Sequence, residues 1–475
     1  MKQKLFLFYI ILQLLFINAK EGDRSLISEQ TSNYRFSDPK QRVICTKNPR
    51  DSNFNDVICK KDFFDSKEEL NFYIIGDMGG SSLWSPVFPY STHAQRSVSS
   101  AMSELAADDQ PAFIINLGDN FYMNGVKNIN DERFQKTFED VYEEKTLGVP
   151  WFSIPGNHDY HGNIQAEIDY TNRSTRWTFP GKNANEPWYK IRYEFGAKKL
   201  KTTISLDFLM IDTVQLCGMT EDVVGDRIIN WVFSESKNSN PHTAIPDKES
   251  FAEQQKDWII GELNKYISSP SSATYVFVAG HYPIYSVGRH GSFYECLKDL
   301  DLKMKEAKIS AYLSGHDHNL QHLIVENDNK ILNYIVSGAG AATDRSQHHW
   351  DEFSKNEGAK VLVHYPAEHW WWKADEWFSM STGGFIQAKV KKDELILSFY
   401  SGKGSVCLGN IPVIGKWLGG SSGPQNANCK TLIHQTKLCP LQNSEDCINK
   451  QKEEKAQSKA GWLFNGKNLW CLYLC

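Results

Sequence analysis

Five strand-like apolar runs of the sequence end in the same way, with a glycine followed at once by a side chain that can bind a metal. The runs are FYIIGD, FIINLGD, WFSIPGN, YVFVAGH and AYLSGH, which end at Asp77, Asp119, Asn157, His281 and His316. In an open α/β sheet, the loops beyond the carboxyl ends of the strands converge on one site. Glycine lets the chain turn sharply there because it lacks a Cβ atom. The pattern therefore predicts a metal site at the edge of a sheet.

The mixture of donor types predicts two metal sites of different character. Carboxylates suit hard or trivalent ions, whereas neutral imidazoles suit divalent transition metals. The motif GHDH places His316 and His318 two residues apart, so both rings leave the same face of an extended chain. Tyr122 follows Asp119 by three residues and can fold back as a phenolate ligand, which a strongly Lewis-acidic ion such as Fe(III) favours. A single Gly-Asp is usually only a turn, but five such ends together indicate a two-metal centre.

The elements that would hold these side chains alternate along residues 69–402. Apolar runs that look like strands are separated by longer amphipathic stretches, which is typical of an α/β domain with helices covering a sheet. Apolar residues on one face predict helices near Glu132 to Thr146 and near Phe251 to Ile267. After Gly402 the run GGSSGPQNANC marks a boundary, so residues 403–475 are predicted to form a small Cys-rich extension.

The amino terminus and the overall charge restrict the class of protein. Residues 1–19 have Lys2 and Lys4 before an apolar run and end in Ala19, the layout of a signal peptide, and residues 20–68 form an N-terminal segment. The apolar run is shorter than the roughly 20 residues that span a bilayer, so no transmembrane segment is expected in the mature chain. Removal of Lys2 and Lys4 takes the formal net charge from −5 to −7. A nucleic-acid partner is therefore not expected.

Ten cysteines in a chain with a signal peptide predict disulfides formed in an oxidising compartment. Two lie in the N-terminal segment, two in the body and six in the tail. In order they are Cys45, Cys59, Cys217, Cys296, Cys407, Cys429, Cys439, Cys447, Cys471 and Cys475. Each segment has an even number, but the six tail cysteines leave many pairings open.

The motifs GDMGG, GDNFY, GNHD, AGHYPIY and GHDHNLQ resemble those of the purple acid phosphatases, within the calcineurin-like metallophosphoesterases. The likeness is greatest to the small mammalian-type, tartrate-resistant subgroup and extends from about Asn71 to Ser401. The fold it implies is the α/β metallophosphoesterase fold, a two-sheet β-sandwich flanked by helices. The metals would lie at one edge of the sandwich.

The resemblance also implies a dinuclear centre of Fe(III) and a divalent ion, which is Fe(II), Zn or Mn. The ligands implied for Fe(III) are Asp77, Tyr122 and His318. Those implied for the divalent ion are Asn157, His281 and His316. Asp119 would bridge the two metals.

The activity implied is that of a secreted acid phosphatase, which hydrolyses phosphate monoesters by attack of a metal-bound hydroxide. His158 and His290 are placed by the resemblance as non-ligand histidines that face the substrate and protonate the leaving group. One alternative is a phosphodiesterase or nucleotidase of the same superfamily, although Tyr122 weighs against it. Another is a secreted binding protein on an inactive phosphatase scaffold, with the Cys-rich tail recognising an unknown partner.

Four further expectations follow from the likeness or from the signal-peptide pattern. The resemblance implies that Cys217 pairs with Cys296 and that residues 218–250 correspond to an inhibitory, protease-sensitive loop. Asn172 in the tripeptide NRS is an acceptor for N-glycosylation. The expected location is outside the cell or in the lumen of the secretory or lysosome-like pathway.

Overall fold

The computed structural model describes residues 44–47, 56–60, 67–80, 90–218, 249–327, 330–367, 382–403 and 429–441. The strands of this part are β1 (Ile44–Lys47), β2 (Asp56–Lys60), β3 (Leu70–Ile75), β4 (Ile114–Asn116), β5 (Trp151–Ser153), β6 (Trp177–Thr178), β7 (Tyr189–Phe195), β8 (Ile204–Met210), β9 (Tyr275–Ala279), β10 (Ala311–Ser314), β11 (Leu320–Asn327), β12 (Lys330–Ser337), β13 (Ala359–Tyr365), β14 (Gly384–Val390), β15 (Leu395–Gly402) and β16 (Lys430–Leu438). The predicted signal peptide and most of the predicted 218–250 loop lie outside the described residues.

Two mixed sheets form a sandwich. Sheet A has nine strands in the order β1, β2, β7, β8, β9, β10, β12, β11 and β13, and sheet B has seven in the order β16, β15, β14, β3, β4, β5 and β6. In sheet B, β3, β4, β5 and β6 are parallel, and in sheet A, β8, β9, β10 and β12 are parallel. The predicted architecture of two sheets flanked by helices is therefore confirmed.

Aromatic side chains join the two sheets at the centre of the sandwich. The ring of Phe72 on β3 lies 5.3 Å from that of Phe208 on β8 and 6.1 Å from that of Phe277 on β9. Phe113, just before β4, stacks on Tyr193 of β7 at 4.1 Å. Edge and stacked contacts at these distances stabilise aromatic pairs beyond their buried area. This layer holds the two sheets together, so that their strand ends meet along one edge.

Helices cover the outer faces of the sandwich. They are α1 (His93–Asp109), α2 (Glu144–Leu147), α3 (Ile164–Tyr170), α4 (Thr213–Cys217), α5 (Glu249–Ser268), α6 (Tyr294–Ala307) and α7 (Trp350–Phe353). The helix predicted near Phe251 to Ile267 is confirmed as α5, which buries Trp258, Ile259 and Leu263 against sheet A. Among the described residues, we find no helix with the length and apolar character needed to cross a membrane.

The continuous helix predicted near Glu132 to Thr146 is wrong. The chain instead forms a π-helical turn over Phe134–Glu139 and then the short helix α2. Buried Arg176 explains the break, because its guanidinium donates to the backbone carbonyls of Glu139 at 2.8 Å and Tyr142 at 2.7 Å. A carbonyl can accept two hydrogen bonds, but these side-chain bonds compete with those of a helix and satisfy the carbonyls where the helix ends. The apolar side chains predicted for this face, including Phe134 and Phe138, are nevertheless buried.

Part of the predicted C-terminal extension belongs to the sandwich. Strand β16 pairs antiparallel with β15 from Leu395 to Gly402, and Leu438 and Leu441 are buried. Residues 430–438 therefore complete sheet B at its edge instead of lying in a separate appendage. At the other end of the chain, β2 pairs parallel with β7, so the N-terminal segment extends sheet A. The remaining segment boundaries stay predictions.

Candidate metal centre

The five predicted ligand-bearing strand ends meet at one edge of the sandwich. Strands β3, β4 and β5 of sheet B lead to Asp77, Asp119 and Asn157, while β9 and β10 of sheet A lead to His281 and His316. All five residues are buried. The backbone ties the ends together: the amide of Asp77 donates to the carbonyl of Gly118 at 2.9 Å, and that of Gly315 donates to the carbonyl of His281 at 3.0 Å.

The glycines before the ligands provide room, and one of them, Gly118, also adopts a positive φ of 89°. A Cβ atom on Gly156 would lie 2.2 Å from Oδ1 of Asp119, and one on Gly315 would lie 2.4 Å from Oδ2 of Asp77. Positive φ also occurs at three of the ligand positions, with 55° at Asp77, 51° at Asp119 and 70° at His316. Such angles are uncommon for residues with a Cβ atom. The expectation that glycine supplies the turn therefore holds at Gly118, while Asp77, Asp119 and His316 adopt the left-handed conformation themselves.

One compact group of donors consists of Asp77, Tyr122 and His318. The Tyr122 hydroxyl donates to Oδ1 of Asp77 at 2.7 Å and lies 3.0 Å from Nε2 of His318. The same imidazole nitrogen is 3.6 Å from Oδ1 of Asp77. Donor atoms in neighbouring positions around one ion, each about 2.1 Å from it, lie about 3 Å apart. These three side chains therefore have the spacing of ligands to a single ion.

A second group consists of Asp119, Asn157, His281 and His316. Ligand atoms of Asp119, His281 and His316 all lie within 4.8 Å of one another, and this trio could hold a metal ion. The Nδ1–H of His281 donates to the carbonyl of Leu117 at 2.9 Å, which leaves Nε2 with its lone pair. That nitrogen faces Oδ1 of Asn157 at 2.9 Å and Oδ1 of Asp119 at 3.4 Å. A nitrogen lone pair that faces two oxygen acceptors, with no hydrogen atom between them, is characteristic of a cation site.

Burial sets the protonation of both groups. It lowers the pKa of His281 and of His316, and together with neighbouring His290 it lowers the pKa of His318 to about 3. The imidazoles are therefore neutral, as metal ligands must be. Burial, with Asp119 and Asp77 beside it, raises the pKa of Tyr122 well above its usual value. A phenolate at this position needs a strong cation next to it.

The two predicted proton-donating histidines lie beside the donor groups. The ring of His158 is 4.6 Å from that of Tyr122, and its Nδ1–H donates to the carbonyl of Met123 at 2.7 Å. The ring of His290, which is partly exposed, is 4.5 Å from that of His316 and 6.2 Å from that of His318. Both histidines thus flank the candidate centre from different loops.

The sequence interpretation missed the residues that hold the His290 loop. Buried Asp317 accepts from the backbone amide of His290 at 2.9 Å and from the hydroxyl of Ser286. The Ser286 hydroxyl also accepts from the amide of Gly288 at 3.0 Å and from Gln321 Nε2 at 2.7 Å. Within GHDHNLQ, His316 and His318 thus face the metal groups while Asp317 and Gln321 face the loop. The period of two in that motif is the signal that could have indicated this division.

Asp159, in the GNHD motif, is a second missed residue. Its carboxylate accepts from the backbone amides of Asn120 and Phe121, and from that of Gly156 at 2.9 Å. These bonds join the loop that carries Asp119 and Tyr122 to the loop that carries Asn157. Burial raises the pKa of Asp159 to about 7. Its position beside His158 in the GNHD motif is the feature of the sequence that could have indicated this role.

Two further residue predictions can be located. The structure contains the expected Cys217–Cys296 disulfide, which links α4 to α6. Asn172 is exposed in the turn that follows α3, where its side chain is accessible to a glycosyltransferase. Its glycosylation stays a prediction.

Comparison with known proteins adds to this geometry. A family model described as calcineurin-like phosphoesterase matches residues 70–320. The chain is 34% identical over 340 residues to tartrate-resistant acid phosphatase type 5 of Sus scrofa, covering 70% of this chain and 84% of that protein. It is 33% identical to the Homo sapiens protein of the same name, covering 70% of this chain and 88% of that one. Among solved structures, GAP50, described as the anchor in the inner membrane complex of Plasmodium, has a TM-score of 0.53 at 21% identity, with 79% of this chain and 90% of that chain covered. At that identity the likeness concerns the fold alone.

Proposed function

Given that the chain belongs to the calcineurin-like phosphoesterases, and among them to the purple acid phosphatases, we propose that it is an acid phosphatase that hydrolyses phosphate monoesters at a dinuclear Fe(III)–M(II) centre. The observation that carries the proposal is the division of seven buried or half-buried donors into two groups. Each group has the ligand types suited to a different ion, and the groups share one edge of the sandwich.

The donor chemistry fits such a centre. Asp77, Tyr122 and His318 would hold Fe(III), because a phenol with a raised pKa ionises most readily beside a trivalent cation. Asn157, His281 and His316 would hold the divalent ion, which is Fe(II), Zn or Mn, since neutral imidazoles suit such metals. Asp119 would bridge the ions. Its carboxylate lies between the two groups, since Oδ1 is 3.4 Å from Nε2 of His281 and the side chain also hydrogen-bonds to Tyr122.

The protein side chains around the centre would supply the proton that the leaving group takes up. When bound, the two ions would supply Lewis acidity and the nucleophile for attack on phosphorus. His158 donates through Nδ1 to the Met123 carbonyl, so this bond orients the ring and leaves Nε2 to give a proton to the departing alkoxide. His290 would serve on the opposite side, where Asp317 holds its backbone. Imidazolium acids of this kind suit turnover in mildly acidic solution.

Two other functions are less well supported. A phosphodiesterase or nucleotidase of the same superfamily would use similar ligands, but Tyr122 at 2.7 Å from Asp77 favours the purple acid phosphatase arrangement. A binding role on an inactive scaffold is consistent with the fold shared with GAP50, which is described as an anchor. The complete donor set and both flanking histidines weigh against loss of activity.

We also propose that the protein is secreted or enters the lumen of a lysosome-like compartment. The signal-peptide pattern of residues 1–19 supports this, and the Cys217–Cys296 disulfide is typical of an oxidising compartment. Exposed Asn172 would then carry an N-linked glycan.

The decisive experiment uses the purified mature protein. We expect about two metal ions per chain including iron, a visible absorption band from the Fe(III)–phenolate pair, and hydrolysis of an aryl phosphate that is fastest in mildly acidic solution. Tyr122→Phe should remove the visible band, while Tyr282→Phe, a buried tyrosine outside both donor groups, should keep it. A colourless, iron-free but active protein would contradict the Fe(III) assignment. A protein that contains both metal ions but does not hydrolyse aryl phosphates would contradict the proposed phosphatase activity.

A further inference from the structure

A polar cavity lies at the end of β3 remote from the candidate metal centre. It has a volume of about 400 Å³ and lies beneath the carboxyl end of α1, on the outer face of sheet B. Its lining residues are Glu69, Asn71, Leu105, Asp108, Asp109, Gln387, Lys389, Ile396, Ser398, Tyr400 and Gln435. Asn71 and Asp77 are six residues apart on an extended chain, so the two sites are about 20 Å apart at roughly 3.3 Å per residue.

The sheet register makes the floor of this cavity polar. Tyr73, Gln387, Ser398 and Gln435 lie side by side across β3, β14, β15 and β16. Gln387 donates to Oδ2 of Asp109 at 2.6 Å, and Gln435 donates to the hydroxyl of Ser398 at 3.0 Å. A sheet face covered by a helix is normally apolar, because buried polar groups cost free energy unless they are hydrogen-bonded. The polar row under α1 is hydrogen-bonded in this way and gives the cavity a polar floor.

Asn71 provides an independent indication of a ligand. Its side chain is only 7% exposed, and its Nδ2 donates to the backbone carbonyl of Asp109 at 2.8 Å. Its Oδ1 is buried and accepts no hydrogen bond from any residue that the structure describes. Buried acceptors are nearly always paired in folded proteins. This unpaired acceptor belongs to a residue that lines the cavity.

The charge around the cavity is negative. Asp108 and Asp109 end α1, whose last turn has no basic residue, and the carboxyl end of a helix already carries partial negative charge. Glu69 adds a third carboxylate. Lys389 is the one cationic side chain among the lining residues described, at 3.7 Å from Asp109 and 3.8 Å from Glu69. One ammonium therefore faces three carboxylates and a helix carboxyl end.

We propose that this cavity binds a small organic cation that carries ammonium or guanidinium groups. Such a ligand would donate to Oδ1 of Asn71 and to the carboxylate of Asp109, and would compensate the excess negative charge. The cavity is far larger than a single metal ion and falls in the range of roughly 300–1,000 Å³ that is usual for small-molecule sites. The site is independent of the proposed phosphatase function, and Gln435 gives the C-terminal strand β16 a part in it.

The test uses the full-length mature protein with agmatine, which has a guanidinium at one end and an ammonium at the other. Isothermal titration calorimetry should show saturable binding, and agmatine should raise the melting temperature, while neutral 1,4-butanediol should do neither. Asp109→Asn should weaken agmatine binding by about tenfold or more, because one charge-assisted hydrogen bond is worth that much affinity. Asp299→Asn, at an exposed carboxylate on α6, makes the same charge change elsewhere and should bind agmatine like the wild type.

A second pair of variants leaves the buried groups intact. Gln435 is exposed on the edge strand, so substitution there should not prevent folding. Gln435→Arg would introduce a tethered guanidinium, which should raise the melting temperature and abolish the response to agmatine. Gln435→Met, which is neutral and of similar length, should do neither. Failure of agmatine to bind the wild type, or equal binding by Asp109→Asn, Gln435→Arg and Asp299→Asn, would overturn the proposal.

Discussion

The two ends of strand β3 both carry buried or half-buried carboxylates, yet they are suited to different cations. At its carboxyl end, Asp77 lies within 2.7–3.6 Å of the donor atoms of Tyr122 and His318, the spacing around a single ion. At its amino end, Asn71 and Asp109 border a cavity of about 400 Å³ instead. In these two proposed sites, acidic residues alone do not determine the ligand. Donor spacing decides between a bare metal ion and an organic cation.

The two ends also differ in the groups that accompany the carboxylates. Imidazoles and a phenol surround Asp77, and burial keeps the imidazoles neutral so that they can coordinate a metal. Amides and hydroxyls surround Asp109, and these groups hydrogen-bond to ligands without coordinating them strongly. Rigid strand ends hold the first set, whereas a helix end and a sheet face enclose the second.

The largest effect should come from removing a carboxylate of the candidate metal centre. Asp119→Asn should lower kcat for an aryl phosphate by about 1,000-fold, because charge stabilisation by the metals is worth several kcal/mol. It should also lower the metal content per chain, measured by elemental analysis. Asp109→Asn should keep both metals and kcat. If Asp119→Asn retained full metal and activity, the assignment of the bridging ligand would be wrong.

Removing a flanking histidine should slow turnover without loss of metal. His158→Ala should lower kcat by about 100-fold, the usual contribution of a general acid, while iron content and the visible band remain. His161→Ala is the matched control, since its ring lies 5.9 Å from that of His158 but outside the donor groups. Loss of the visible band in His158→Ala would show that His158 is itself a metal ligand.

The support of the His290 loop should have a smaller effect. Ser286→Ala removes the hydroxyl shared by Asp317, Gly288 and Gln321, and should lower kcat by about tenfold through a less ordered His290. The double variant Ser286→Ala/His290→Ala should be no slower than His290→Ala alone, because Ser286 acts through that histidine. Additive losses in this double-mutant cycle would show that Ser286 acts by another route.

The smallest effect concerns the pH dependence of protein stability, to which Asp109 at the cavity contributes. Burial raises the pKa of Asp109, so the folded protein holds this proton more tightly than the unfolded chain. This contribution to stability is fully present below the ordinary carboxyl pKa of about 3.9 and is lost as pH rises through the folded pKa. The melting temperature of the wild type should therefore fall more with rising pH than that of Asp109→Asn. If the melting temperatures of the two proteins changed equally with rising pH, Asp109 would not be a carboxylate that burial destabilises.

The metal-binding edge was predictable because its signals are local. Each ligand directly follows an apolar strand and a glycine, and the period of two in GHDH is readable without a partner. Helix α5 was predictable for the same reason, since its apolar face repeats along one segment. Such features need only the residues next to them in the chain.

The remaining features depend on distant partners. Asp159 bonds to the amides of Asn120 and Phe121, about 39 residues away, and backbone amides leave no trace in a sequence. Arg176 donates to the carbonyl of Glu139, where the expected helix ends, from 37 positions along the chain. Strand β16 is separated from its partner β15 by a Gly- and Ser-rich run that resembles a domain boundary. Single-sequence reasoning has no access to these pairings.

The Cys217–Cys296 disulfide has a consequence for limited proteolysis. One cysteine precedes residues 219–248 and the other follows them, so a single cut in that interval would leave two polypeptides that remain covalently joined. Strands β8 and β9, which lie on either side of the cut, would still pair within sheet A. The nicked protein should therefore migrate as one species on a non-reducing gel and as two after reduction. Its ligand-bearing strand ends would come from both polypeptides, Asp77, Asp119 and Asn157 from the first and His281 and His316 from the second.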